Sequence, residues 1–155
     1  MNFRYRGLAT DNFSHLFDLT DGELASRGMR RMLVDEKSGF PCRVTLEDAE
    51  PGEHVILLAF EHQPAHSPYR ASGPIFVREG KHATFDRAGQ PPEVLSGRKL
   101  SARAYAADGM MVDAEVAEGL EVIALLERFF STRGVEYVHL HFARRGCYAC
   151  RVERG

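Results

Sequence analysis

The chain has no run of roughly 18 apolar residues and no charged-then-apolar leader, so neither a membrane span nor an export signal is expected. It also lacks an excess of either charge: Lys and Arg number 20 against 22 Asp and Glu, for a net charge of -2. Binding to nucleic acid, which rests on a basic excess, is therefore not expected. Cysteine is sparse. Three thiols, an odd number, suit a reducing compartment better than a disulfide framework, and a cytoplasmic location follows as an expectation. Internal repeats and low-complexity tracts are missing. So are Gly-x-x-x-x-Gly-Lys-Ser/Thr, Gly-x-Gly-x-x-Gly, Gly-x-Ser-x-Gly and His-Glu-x-x-His, leaving phosphate-loop, dinucleotide, serine-hydrolase and metalloprotease chemistry without a foothold.

What is present is 155 residues, 44% hydrophobic and 27% charged, enough to bury one core and read here as one domain over residues 1–155. Alternating Phe3 and Tyr5 predict an opening strand over Asn2–Arg6, followed by a short helix around Asn12–Leu19. Thr20-Asp21-Gly22-Glu23 has capping-box spacing and predicts a second short helix over Asp21–Arg27, with Gly28 at its exit. Strands are expected at Arg30–Asp35, Cys42–Leu46 and His54–Phe60, the last nearly all apolar and hence central. Three prolines in Glu61–Pro74 predict a long loop, and Gly73–Arg78 resumes as a strand. Glu79–Glu93 reads as another loop. Asp108-Gly109 marks a hairpin between Lys99–Ala106 and Met110–Val116. Ala117–Ser131 carries Leu120, Val122, Ile123, Leu126, Phe129 and Phe130 on one helical side, and Gly134 caps it. The sum is an α+β fold: a mostly antiparallel β-sheet with hairpins, one main helix in the C-terminal half and short N-terminal helices.

The densest chemistry lies in Tyr137–Arg154, YVHLHFARRGCYACRVER. Two alternating runs, Tyr137–Phe142 and Tyr148–Val152, flank a basic turn ending in Gly146 and predict an antiparallel hairpin. A three-residue loop, Arg144 to Gly146, sets Ala143 opposite Cys147. Val138, Leu140, Phe142, Tyr148, Cys150 and Val152 then share one face, and His139, His141, Cys147, Ala149, Arg151 and Glu153 the other. Cys147-x-x-Cys150 beside His139-x-His141 has the composition of a zinc site. Residues three apart on a strand point to opposite faces, however, so both sulfurs reach one ion only through a bulge. No metal or other cofactor is therefore assigned, and zinc stays as a minor alternative. In this register Cys147 and His141 lie diagonally across the ribbon, roughly 7 Å apart, and Arg144 and Arg145 favour a thiolate. They are the candidate nucleophile and base, weighed against a filler cysteine and solvated histidines.

A second constellation surrounds the proline-rich loop. Arg43, His62, Tyr69, Arg70 and Arg78 can converge on one mouth if their elements are neighbours, and guanidinium groups there grip a small carboxylate or phosphate. The alternative is that each arginine pairs locally, with Glu61, Glu79 or Asp48 as partner. His139 and Arg151 join this ligand-binding set from the hairpin.

FPCRVTLEDAEPGE, AFEHQP, SPYRASGPIFVRE and HLHFARRGCYACRVER together resemble a bacterial family known as domain of unknown function 1203. The resemblance spans essentially the whole chain. It implies a single-domain bacterial protein and supplies no activity, cofactor or catalytic residue. The expected function is binding of a small anionic metabolite, extending to Cys/His-dependent catalysis by Cys147 and His141. A non-catalytic interaction module, such as a homodimer formed through the final hairpin's edge, is the alternative.

Overall fold

The computed structural model describes all 155 residues. In chain order the elements are β1 (Phe3–Arg6), α1 (Asp21–Ser26), β2 (Arg30–Leu33), β3 (His54–Gln63), β4 (Ala71–Arg78), β5 (Asp86–Ala88), β6 (Lys99–Tyr105), β7 (Met111–Glu118), α2 (Val122–Ser131), β8 (Tyr137–Phe142) and β9 (Tyr148–Arg154). Every strand pairing is antiparallel. Six strands form one sheet in the order β5-β1-β9-β8-β6-β7, and three form a second, β2-β3-β4. The result is the expected α+β domain. No helix is long and apolar enough to cross a membrane.

The main core lies on one face of the large sheet. Alternate residues Leu100, Ala102 and Ala104 of β6, Val138 and Leu140 of β8, and Cys150 and Val152 of β9 meet Val122, Leu126, Phe129 and Phe130 of α2. The 4-3-1 spacing of the helical residues gives a single apolar stripe. Each buried Val, Leu or Phe side chain among them contributes roughly 1.5–3 kcal/mol. α2 starts later than the pattern suggests: Ala117 and Glu118 end β7, Gly119–Glu121 form a 3₁₀ turn, and Leu120 is exposed. At the N-terminal end, Thr20 Oγ1 accepts the Glu23 amide at 3.1 Å, so the predicted cap forms, while the region expected as the first helix consists of 3₁₀ turns at Thr10–Asn12 and Ser14–Leu16.

The small sheet departs further from expectation. Cys42–Leu46 is a buried turn held by Leu46 N–H donating to Cys42 O, with Leu46 at a φ of 53°. Only single bridges, Pro41 with Asp48 and Cys42 with Phe76, give this segment strand character. β3 and β4 invade the expected long loop from both ends and shorten it to residues 64–70. Pro74 sits within β4 because that strand is the edge of its sheet, where a missing N–H leaves no ladder bond unmade. The shortened loop docks on the β6–β7 turn: Ser67 Oγ donates to Gly109 O at 2.9 Å. A Cβ at position 109 would lie 2.4 Å from the Ala65 Cβ, so glycine is required there for the approach as well as for its φ of 82°. This docking carries β3 over the second face of the large sheet.

A candidate metal centre between the two sheets

Both edges of the terminal hairpin are taken, β9 by β1 and β8 by β6. The hairpin therefore has no exposed edge for the homodimer contact weighed as the alternative. Val138 pairs with Val152, His139 with Arg151 and Leu140 with Cys150, as the predicted register requires at this end. Then the ladder slips. His141 pairs with Tyr148, leaving Ala149 as an extra residue, and Phe142 N–H donates to Cys147 O rather than Ala143 facing Cys147. A bulge of this kind bends the strand and re-aims the side chains beyond it. Ala149 stays in the core and Tyr148 crosses to the histidine face, the reverse of the sequence expectation for both.

A second bulge faces the first. In β3, Phe60 pairs with Gly73 and Gln63 with Ala71, so Glu61 and His62 together oppose Ser72. His62 is thereby brought over the large sheet, where its ring stacks on Tyr148 (centroids 5.2 Å apart, 7° between planes) and meets His141 edge-on at 5.1 Å. One ring nitrogen from each of His62, His139 and His141 lies within 4.8 Å of the others. His139 and His141 are buried and His62 is half-buried. Each ring has a buried nitrogen without a hydrogen-bond partner: Nδ1 of His62, Nδ1 of His139 and Nε2 of His141.

The surroundings keep these rings neutral. Burial lowers the His139 pKa to about 2, and the neighbouring His141, Arg151, His62 and Arg103 oppose a charge on it further. Burial lowers that of His141 to about 4 against an opposing hydrogen bond to Gly146, with Arg103, His62 and Arg43 adding to the fall. His62 is also lowered, by burial and then by Arg103. His141 Nδ1 lies 2.9 Å from Gly146 O, so the neutral ring carries its proton there and presents the Nε2 lone pair inward. Tyr148 walls the cluster edge-on to His139 and His141. Tyr105 and Tyr137, stacked on each other, close the far side of His139, and Gln63 Nε2 donates to the Tyr137 hydroxyl at 3.1 Å.

His139 also sits in a cross-strand row. Arg103 of β6 is its partner on one side and Arg151 of β9 on the other, so three side chains share one face. Arg151 lies over the Tyr137 ring at 3.9 Å and is paired with Glu153. Arg103 has no carboxylate partner, only Ser101 Oγ at 3.3 Å.

Of the residues singled out in the sequence, His62, His139, His141 and Arg151 come together here. Arg70 does not join them; it grips Glu61 through two bonds at 3.0 and 3.2 Å. Arg78 likewise holds Glu53 at 2.7 and 2.8 Å. Tyr69 is exposed, edge-on to Tyr105. Arg43 is buried on the other side of the hairpin, donating through Nε to Tyr148 O. Cys147 is not placed against His141. It lies opposite Phe142, on the reverse face of the ribbon, and lines a groove with Arg43. The expected Cys147–His141 pair fails because the loop is longer by one residue than predicted and the thiol shifts by one position. Nor do the two sulfurs join the histidines: burial pushes the Cys150 thiol, in the main core, up to about 12. Arg103, Tyr105, Tyr137 and Tyr148 were not singled out as site residues. The alternation of Arg103 and Tyr105 in β6 was the available signal for two of them.

Residues 39–154 match the family described as "Protein of unknown function (DUF1203)", and the chain belongs to this family. Among curated proteins and among solved structures, nothing matches it significantly.

Proposed function

We propose that the protein binds a divalent transition metal, zinc foremost, through His62, His139 and His141. The observation that carries this reading is the convergence of one ring nitrogen from each of the three histidines within 4.8 Å, in a cluster where each ring has a buried nitrogen without a hydrogen-bond partner. Leaving a buried polar group unsatisfied costs about 1–3 kcal/mol, so a cluster of unpartnered imidazoles favours a ligand that accepts their lone pairs. Neutral imidazole is the form a metal needs, and the Gly146 carbonyl supplies the outer hydrogen bond that orients a ligating ring. The nitrogens stand up to 4.8 Å apart. Tetrahedral ligands about 2.0–2.1 Å from zinc are roughly 3.3 Å apart, so binding draws the rings together by at most about 1.5 Å.

Three protein ligands leave a coordination position open, and a bound ion would supply Lewis acidity or an acidified water there. Arg103, without a carboxylate of its own, and Arg151 flank His139 and favour a negatively charged ligand at that position. The expected small anionic molecule is thus retained, with a metal rather than Cys147 as its reactive partner.

Protein stripped with chelator and titrated with Zn²⁺ by calorimetry, and with Co²⁺ by visible absorption, tests this. One ion per chain is expected, with affinity lower by on the order of 100-fold or more in His62→Asn and His139→Asn, as for loss of a metal-orienting group. His62→Asn decides if the more buried variant misfolds. Substoichiometric binding, or binding unchanged in a folded variant, would overturn the proposal.

A further inference from the structure

We propose that the groove at the turn end of the hairpin, between it and β3–β4, is a second, independent site, for a small organic anion with an apolar body: an aryl or alkyl carboxylate, sulfonate or phosphate monoester. The groove encloses 940 Å³, within the range of about 300–1,000 Å³ usual for small-molecule sites. Phe40 and Phe76, tilted together at 5.2 Å, and Phe142 give it an apolar wall. Its charges are uneven. Arg43, Arg98, Lys99, Arg144 and Arg145 line it against two acids, Glu36 and Glu118. Arg98 is matched by Asp48 and Lys99 by Glu118, but Arg43, Arg144 and Arg145 form no ion pair, and neither does Glu36.

Arg43 is the anchor. It is 3% exposed, yet its donors meet only neutral carbonyls, Tyr148 O from Nε at 2.7 Å and Pro41 O from Nη1 at 2.5 Å. Nη2 makes no hydrogen bond. The guanidinium carbon lies 4.9 Å from the centre of the Phe142 ring, with Arg98 at 5.3 Å from the same ring. Withdrawing a cation from water costs several kcal/mol unless an opposite charge comes with it. No side chain of this protein brings that charge to Arg43. A monoanion seated against Nη2 does, while Arg144 and Arg145 close over it and its hydrocarbon lies on the aromatic wall. A lone structural role, tying the turn after Phe40 to β9 through two carbonyls, does not require the rim arginines.

Cys147 reports on the groove, because Cys42 and Cys150 are buried and it alone is accessible. The probe is 8-anilinonaphthalene-1-sulfonate, followed by fluorescence, with its uncharged parent N-phenyl-1-naphthylamine as control and iodoacetamide labelling of Cys147 in parallel. Near-UV circular dichroism establishes that each variant is folded. Expected are saturable binding of the sulfonate, slowed labelling of Cys147 at saturation, and at least about tenfold weaker binding both of the uncharged parent and of the doubly reversed rim variant Arg144→Glu/Arg145→Glu. Arg43→Met is expected to lose binding as well. If that variant misfolds, the exposed rim variant decides. Sulfonate affinity within about twofold of wild type in the folded rim variant, equal binding of the uncharged parent, or Cys147 labelling unaffected at saturation each overturns the proposal. None of these readouts depends on metal at the histidines.

Discussion

The two faces of β8 and β9 use alternate residues of the same short strands and come out chemically opposite. On one, Val138, Leu140, Cys150 and Val152 are sealed under α2. On the other, His139, His141, Tyr148 and Arg151 lie under β3, and His139 and His141 are no more exposed than the core residues. Equal burial with unequal satisfaction is the instructive part. The core face has no polar atom seeking a partner, whereas the histidine face contains nitrogens with none. A packed core stabilises the fold by itself; the second face carries the imidazoles on which the proposed metal site rests.

Cutting into the apolar face should give the largest effect. Leu140→Ala, at a fully buried position, is expected to destabilise by about 2–5 kcal/mol, transfer and cavity terms together. Urea unfolding measures it, and a loss below about 1 kcal/mol would mean that α2 packs less tightly than described.

Acid sharpens the contrast from the other side. In the metal-free protein the His141 pKa falls from 6.5 to about 4 on folding, so between these values the unfolded chain binds more protons than the folded one. Stability is therefore full above pH 6.5 and lost as pH falls toward 4, by on the order of 3 kcal/mol for this ring. His141→Asn keeps a donor for Gly146 O but cannot titrate. The variant should gain on wild type as pH drops, and parallel stability–pH curves for the two would contradict the neutral, buried ring.

The smallest effect belongs to the residue that looked most reactive. Cys147→Ser is expected to alter stability by less than about 0.5 kcal/mol, as for a surface position, and to leave zinc binding unchanged, since the thiol lies on the reverse face from the histidines. A loss of zinc affinity in this variant would put the sulfur back among the ligands and undo the assignment of faces.

Much of this arrangement was legible before any coordinates. Strand alternation put His139, His141 and Arg151 together on one face and Val138, Leu140, Cys150 and Val152 on the other, because side-chain direction along a strand is a local property. The Thr20 cap, the Asp108-Gly109 turn and the apolar stripe of α2 are local as well. Tyr148 and Ala149 were exchanged, and Cys147 set beside His141, because a bulge adds one residue to a ladder without an unambiguous mark in composition. His62 stood among the candidates as an anion ligand from a loop; nothing near it in sequence pointed to residues almost eighty positions later.

Which residue types exist, how β6 and β8 alternate and where α1 is capped were settled by the sequence alone, since they depend on interactions within a few residues. Which histidines meet was decided only in three dimensions. It took two opposing bulges, at His62 and Ala149, and the docking of residues 64–70 on Gly109 to carry one sheet across the other. Those are long-range pairings, and their register is fixed by the packing of the whole core rather than by any segment read alone.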